Sequence, residues 1–386
     1  MSWLGISVRS ETHPIVRGGW LDAIRFIVAC GIIVHHYQLA APVPLARLHP
    51  VFERGYLLTD FFLIDSGYVL GRVYGRRLLA GKMSWLAFFR KRAVRVCPAH
   101  LVMLGGLVAF VLAAGALGFM PRHPKWFDFR ELPAQFFLVQ SYGVPGGQGW
   151  NAPSWSISAL LGCYLSFPLL VRWVGRAPPF LALAAGLAAF ALADALTWRF
   201  LGYPVYEMPL NYGFLRALPL FFLGMTLARF AERVFIPARL AGACGLAAGA
   251  AFAIVQVFGA FSVLSLVLIC VMIIAAGAVP VARRSWLVEK AAVVSFSMYI
   301  TNEVFRIAYF SVVNALESRV AIPVAAQWGL WGLALAGAIG FATLFHYLAD
   351  MPSQRWLQPL FSGARRAPAR RDVSAARPSV HPAAYS

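Results

Sequence analysis

The chain has 386 residues, a net charge of +19 and a mean hydropathy of +0.69; 60% of its residues are hydrophobic and only 13% are charged. Soluble domains carry about 25% charge, so a single soluble core cannot hide this much apolar surface and lipid must cover much of it. The positive charge does not point to nucleic acid, because its positions follow those of a membrane protein's loops.

Residues 1–19 form a short polar arm with Arg9, Glu11 and Arg17 and lack a signal-peptide cleavage pattern, so the first apolar run is expected to stay as a membrane span. Apolar stretches long enough to span follow near 20–41, 57–73, 97–119, 154–171, 179–198, 208–228, 238–257, 260–281, 291–315 and 325–348. The second is the weakest, since Asp60 and Asp65 interrupt it. With the N-terminus placed inside, 24 Lys and Arg fall on the inner side and seven on the outer side, the bias of the positive-inside rule. The expectation is an all-α polytopic protein of about ten transmembrane helices with both termini cytoplasmic. It divides into an arm (1–19), a transmembrane domain (20–350) and a basic, disordered tail (351–386). The residues from about Ser362 are rich in Ala, Pro and Arg and suit contact with anionic head groups.

The longest outer loop, about 120–153, holds five prolines and the glycine-rich run Gly143 to Gly149. It reads either as a cover for a site or as a plain connector. Cys30, Cys97, Cys163, Cys244 and Cys270 are scattered in or beside apolar runs and read as small buried hydrophobes. No metal-ligand cluster is expected, because the adjacent pair His35 and His36 points apart on a helix.

Ionisable groups inside spans cost several kcal/mol, so each marks a site or a paired structural contact. In the first span Arg25 and His36 lie eleven residues apart, about three turns plus 20°, so both leave the same helix face about 16 Å apart. Asp22 can pair with Arg25 at i, i+3. One reading has Asp22 and Arg25 neutralise each other while His36 bonds a neighbouring span. The other has a cation able to hold an anionic group in line with a titratable base, a role that suits histidine. Arg92 and Arg95 stand i, i+3 within a segment, Arg72 to Arg95, that has eight basic residues and no acid. They either anchor the third span or bind a phosphate-rich ligand, which guanidinium forks suit.

At these residues the chain resembles the membrane-integral acyltransferase family 3, whose members move acyl groups, often acetyl, onto surface polysaccharides and related acceptors. Arg25 and His36 look like its Arg-x10-His signature. Asp60-Phe-Phe-Leu-Ile-Asp-Ser66-Gly67-Tyr68 is similar to its second-span pattern, and Arg92-x-x-Arg95-x-x-Pro98 to its basic motif. Trp155-Ser156-Ile-Ser158, Arg216-Ala-Leu-Pro219, Ser295-Phe-Ser-Met-Tyr299 and Asp350-Met-Pro352 resemble further elements in the same order. Two departures stand out. Leu160 and Leu161 occur where the family commonly has Glu, and Asn302, followed by Glu303, occurs where it often has His.

The resemblance implies a multi-pass inner-membrane enzyme with acyl-CoA, acetyl-CoA by preference, as donor substrate and no bound cofactor or metal. Its acceptor would be a glycan or lipid-linked glycan, with membrane lipids around it and no nucleic-acid partner. It assigns His36 as general base with Arg25 beside it, and Arg92 and Arg95 to the donor. Asp60, Ser66, Trp155, Ser156, Ser158, Tyr299 and Glu303 would face the acceptor. Trp155, Ser156 and Ser158 could equally serve as interfacial anchors and caps, and Glu303 could simply pair with Arg306. An acyl-His intermediate is a variant of the mechanism. Two rival readings are a transporter or flippase of a lipid-linked sugar or small anion, and a membrane scaffold.

Overall fold

The structure is a computed structural model that describes residues 7–8, 17–119, 124–144, 149–259, 261–281 and 283–361. Among these, ten helices of 17 residues or more follow one another. They are α1 (Trp20–Tyr37), α2 (Leu57–Leu79), α3 (Trp85–Ala116), α4 (Trp155–Arg176) and α5 (Pro179–Leu201), then α6 (Gly213–Arg233), α7 (Ala238–Phe258), α8 (Ser262–Ala278), α9 (Trp286–Glu317) and α10 (Val324–Phe345). Each overlaps one of the apolar stretches in the sequence. Seven of these helices are long and apolar enough to cross a membrane, and α8 is apolar but shorter. The two outside this set, α2 and α9, carry much of the buried charge. The protein is an all-α polytopic membrane protein.

Local chemistry sets the helix ends. The Ser84 and Ser285 hydroxyls accept the amides of Ala87 (3.2 Å) and Val288 (3.3 Å), so each caps the N-terminus of a 32-residue helix, α3 and α9. Gly202 ends α5 at φ +77°, a left-handed conformation that glycine adopts without a Cβ clash. After α10 the chain widens into one π turn (His346–Asp350) and continues as α11 (Met351–Phe361).

Helix packing divides into three apolar clusters. The largest joins α2, α4 and α6 through Phe61, Tyr68, Phe167 and Phe221, all at most 1% exposed. A second joins α1, α9 and α10 around Ile33, Tyr37, Met298 and the alanines 334, 338 and 342. A third seats Trp150 of the outer loop against Leu104 and Leu107 of α3. The closest approach is between α2 and α6. A Cβ on Gly67 would lie 2.0 Å from the Phe221 carbonyl oxygen, and one on Gly224 would lie 2.0 Å from that of Ile64. Two facing glycines thus let the backbones touch, a packing mode that serves helices in lipid, where apolar side chains gain little from leaving the solvent.

One contact lies beyond the expectations and one expectation needs correction. Ser7–Val8 of the arm pairs antiparallel with Val234–Phe235, with Ser7 opposite Phe235. The segment expected to be a disordered tail begins as helix, since residues 351–361 form α11. The remainder of that tail, 362–386, and residues 145–148 of the glycine-rich run lie outside the described residues.

Candidate active site

The first span turns both of its polar signature residues into protein. The Arg25 guanidinium donates to Asp22 Oδ1 (2.7 Å) and, as a fork, to both oxygens of Asp65 on α2 (2.8 and 3.0 Å). Asp22 in turn accepts the Gly18 amide (2.7 Å). The i, i+3 pair expected from the sequence is present, and Asp65 adds a second carboxylate that helix periodicity does not reveal. Two carboxylates therefore hold Arg25, and its face toward a ligand is correspondingly reduced.

His36 faces α9 instead. Its Nδ1 lies 2.6 Å from Oδ1 of Asn302. The Asn302 amide nitrogen donates to the carbonyls of Met298 (3.2 Å) and Tyr299 (2.7 Å). Those two bonds fix which end of the amide is nitrogen, so the end facing His36 is an acceptor and Nδ1 must carry the proton. In the neutral ring the nitrogen without a proton is then Nε2. Tyr37 donates to the Asn302 carbonyl (2.7 Å), and Trp331 of α10 donates to the Tyr37 carbonyl (3.0 Å). The ring is thereby set between three helices. His35, rotated away as expected, contacts the Phe52 carbonyl (2.7 Å).

α2 and α9 meet at Phe62 and Tyr299, whose ring centroids are 6.1 Å apart. Around this seam lies a second polar group. Arg216 of α6 donates to Asp60 Oδ1 (2.7 Å) and to the Tyr56 carbonyl (2.9 Å), with the Trp155 ring 5.4 Å from the guanidinium carbon. Ser156 donates to the Tyr299 hydroxyl (2.9 Å), which also bonds Thr59. Asp60 Oδ2 is buried and without a partner. The structure thus brings together Asp60, Trp155, Ser156 and Tyr299 around Arg216. Arg216 was given no site role in the sequence, although its place within an apolar stretch and its Arg216-Ala-Leu-Pro219 element both marked it.

Three assigned residues fall elsewhere. Ser158 is tied to the loop, with its hydroxyl donating to the Leu138 carbonyl (2.7 Å) and accepting the Ser141 amide (3.3 Å). It anchors the 120–153 loop on α4, and its one hydroxyl proton is already committed. Glu303 forms a two-pronged pair with Arg306 (2.8 and 2.6 Å), the structural option raised by its spacing. Ser66 is half-buried beside Asp65 and makes no polar contact among the described residues.

The basic motif splits. Arg95 reaches Asp350 at the π turn (3.3 Å), where the buried carboxylate also contacts His346 (3.0 Å) and Gln354 (2.6 Å). Ser297 bonds the same carboxylate at 3.4 Å, five residues or about 7.5 Å along α9 from Asn302. Arg92 lies over the Tyr74 ring (5.4 Å) and has no carboxylate partner among the described residues; its Nε is buried and unpartnered. Of the two arginines, Arg92 is the one left open to an anion.

The family profile of the acyltransferase domain, acyltransferase family 3, matches residues 19–347. The chain belongs to this family. A protein named acyltransferase MdmB, from Streptomyces mycarofaciens, is 32% identical over 164 residues, 41% of this chain and 39% of that protein. A protein named protein 2 in picA locus, from Rhizobium radiobacter, is 29% identical over 99 residues, 25% of this chain and 48% of the other. The matched stretches cover less than half of either relative. No solved structure matches the chain. Within the family frame, Asp60 of α2, Trp155 and Ser156 of α4, Arg216 of α6 and Tyr299 of α9 are the motif residues that meet near the α2–α9 seam.

Proposed function

We propose that the protein is a membrane acyltransferase that moves an acyl group, acetyl by preference, from acyl-CoA to a hydroxyl of a cell-surface glycan or lipid-linked acceptor. The observation that carries this reading is the short contact between His36 Nδ1 and Asn302 Oδ1. A histidine whose Nδ1 proton is held by a fixed acceptor offers a basic Nε2, the form a general base needs.

In the proposed reaction Nε2 of His36 removes the proton from the acceptor hydroxyl as its oxygen attacks the thioester carbonyl carbon. The C–O bond forms, the C–S bond breaks, and the CoA thiolate leaves. The proton on Nε2 passes to that sulfur, so acyl ester, free CoA and neutral imidazole result. General-base assistance of this type supplies roughly 10²–10⁴-fold. Arg92, stacked but not ion-paired, suits the donor's phosphates. Arg95 would share its charge between Asp350 and the donor. The unpartnered Asp60 Oδ2 is an acceptor awaiting a donor, which a substrate hydroxyl provides.

The reading places the enzyme in the inner, plasma membrane with ten crossings and both termini in the cytoplasm, as the charge bias suggests. Donor and acceptor would then meet inside the bundle from opposite sides. The test is incubation of purified protein with acyl-labelled acyl-CoA and extracted surface glycans and lipids. Transfer of label to the extracted material supports the reading. Label that remains entirely on CoA while the acceptor pool crosses a vesicle membrane would establish transport in its place.

A further inference from the structure

The C-terminal ends of α2, α4 and α6 enclose a cleft of about 330 Å³. Small residues line its floor, with Gly71 against Ala228, Gly75 against Val171 and Gly175 against Leu79. Its rim carries Arg76, Arg229, Arg233 and the single carboxylate Glu232. Across the end of α4 a second depression holds Arg172, Arg176 and Trp173. The only ion pair among these groups is loose, with Arg76 Nε 4.0 Å from Glu232. Arg229 caps α4 by donating twice to the Ala177 carbonyl, both at 3.2 Å.

The charge does not balance internally. The two depressions together hold five guanidiniums and one carboxylate, and three helix C-termini add at most about half a negative charge each. A surplus of at least about 2.5 positive charges remains across the two depressions. Trp173, half-exposed, stands where aromatic side chains sit at a membrane–water boundary. Basic pockets between helices at that level suit phosphorylated head groups.

We infer that this cleft binds the head group of an anionic phospholipid, with the phosphate between Arg76 and Arg233 and the upper acyl chain along the glycine floor. The cleft is a separate site from the His36 centre. Following α2 and α6 inward, Gly71 already lies against Ala228, and at Gly67 and Gly224 the backbones leave no room for even a methyl group. Only beyond that contact do Asp60 and Arg216 meet. A molecule seated in the cleft has no path along this seam to the polar cluster, which argues against the acyl donor as its occupant. The inference does not depend on the acyltransferase reading.

Native mass spectrometry of the full-length protein, released from detergent with equal phosphatidylglycerol and phosphatidylcholine, tests it. The expected result is retention of phosphatidylglycerol over phosphatidylcholine by about tenfold or more, unaffected by added coenzyme A. Arg76→Gln with Arg233→Gln should remove the preference, while Arg76→Lys with Arg233→Lys should keep most of it. Equal retention of the two lipids by the wild-type protein overturns the inference without any variant. So does displacement of phosphatidylglycerol by coenzyme A, which would make the cleft a nucleotide site, or an unchanged preference in the Gln pair.

Discussion

Arg216 and Asp60, 156 residues apart in sequence, form an ion pair of 2.7 Å between α6 and α2, in which neither side chain is more than 5% exposed. This pair explains how the stretch weakest in hydropathy becomes a long helix. Asp60 is matched by Arg216, and Asp65 by Arg25, which it shares with Asp22, so neither carboxylate of α2 is left without a cation. Leaving one such charge unmatched costs far more than the pair contributes. Arg216→Met alone should therefore destabilise the protein by roughly 3–5 kcal/mol. Asp60→Leu combined with Arg216→Met should recover most of that loss. Thermal unfolding in detergent checks both, and equal stability of the single and double variants would refute the pairing.

In the proposed mechanism Asn302 acts through His36, as a positioning residue. Asn302→Leu keeps the side-chain volume but removes the acceptor that holds Nδ1–H. The imidazole would then sample both tautomers and other orientations. The expected effect is a fall in kcat of roughly 10–100-fold, the range seen when an outer hydrogen-bond partner of a functional histidine is lost. KM for the donor should change little. A variant whose kcat matches the wild type would remove Asn302 from the account.

The glycine contact makes a steric prediction. Gly67→Ala or Gly224→Ala adds a Cβ 2.0 Å from a backbone carbonyl oxygen of the facing helix. Neither backbone can yield without moving its helix, so each variant should cost about 1–3 kcal/mol. Gly105→Ala, on α3 with nothing near its Cβ, serves as control. Size-exclusion profiles and melting temperatures of the three variants should separate the buried glycines from the open one.

Arg92 and Arg95 differ in surroundings, and their substitutions should differ in kind. Arg92→Gln removes a cation with no carboxylate partner, so the expectation is a raised KM for acyl-CoA with kcat and stability close to normal. Arg95→Gln also strands Asp350, which is fully buried, so it should lower the melting temperature as well. Steady-state kinetics with a paired melting series checks this; identical behaviour of the two variants would contradict it.

What could be read in the sequence was local. The ten apolar stretches each became a helix, because continuous hydropathy decides helix formation in lipid. The pairs Asp22–Arg25 and Glu303–Arg306 followed from i, i+3 spacing, and both are present. The partners that join helices were not legible. Helix period tells which face Arg25 and His36 occupy but not that Asp65, 40 residues on, or Asn302, 266 residues on, stands opposite. Ser158 shares a motif with Trp155 and Ser156, yet one turn of the 120–153 loop uses its hydroxyl. The antiparallel contact of Ser7–Val8 with Val234–Phe235 is two residues long, too short for any strand pattern to register.

The central claim is that Nε2 of His36 is the base. Single-turnover transfer of labelled acyl groups from acyl-CoA, comparing the wild type with His36→Ala in protein matched for membrane insertion, tests it most directly. The account predicts a rate lower by roughly 10²–10⁴-fold in the variant, with acyl-CoA binding retained. Transfer by His36→Ala at the wild-type rate would contradict it.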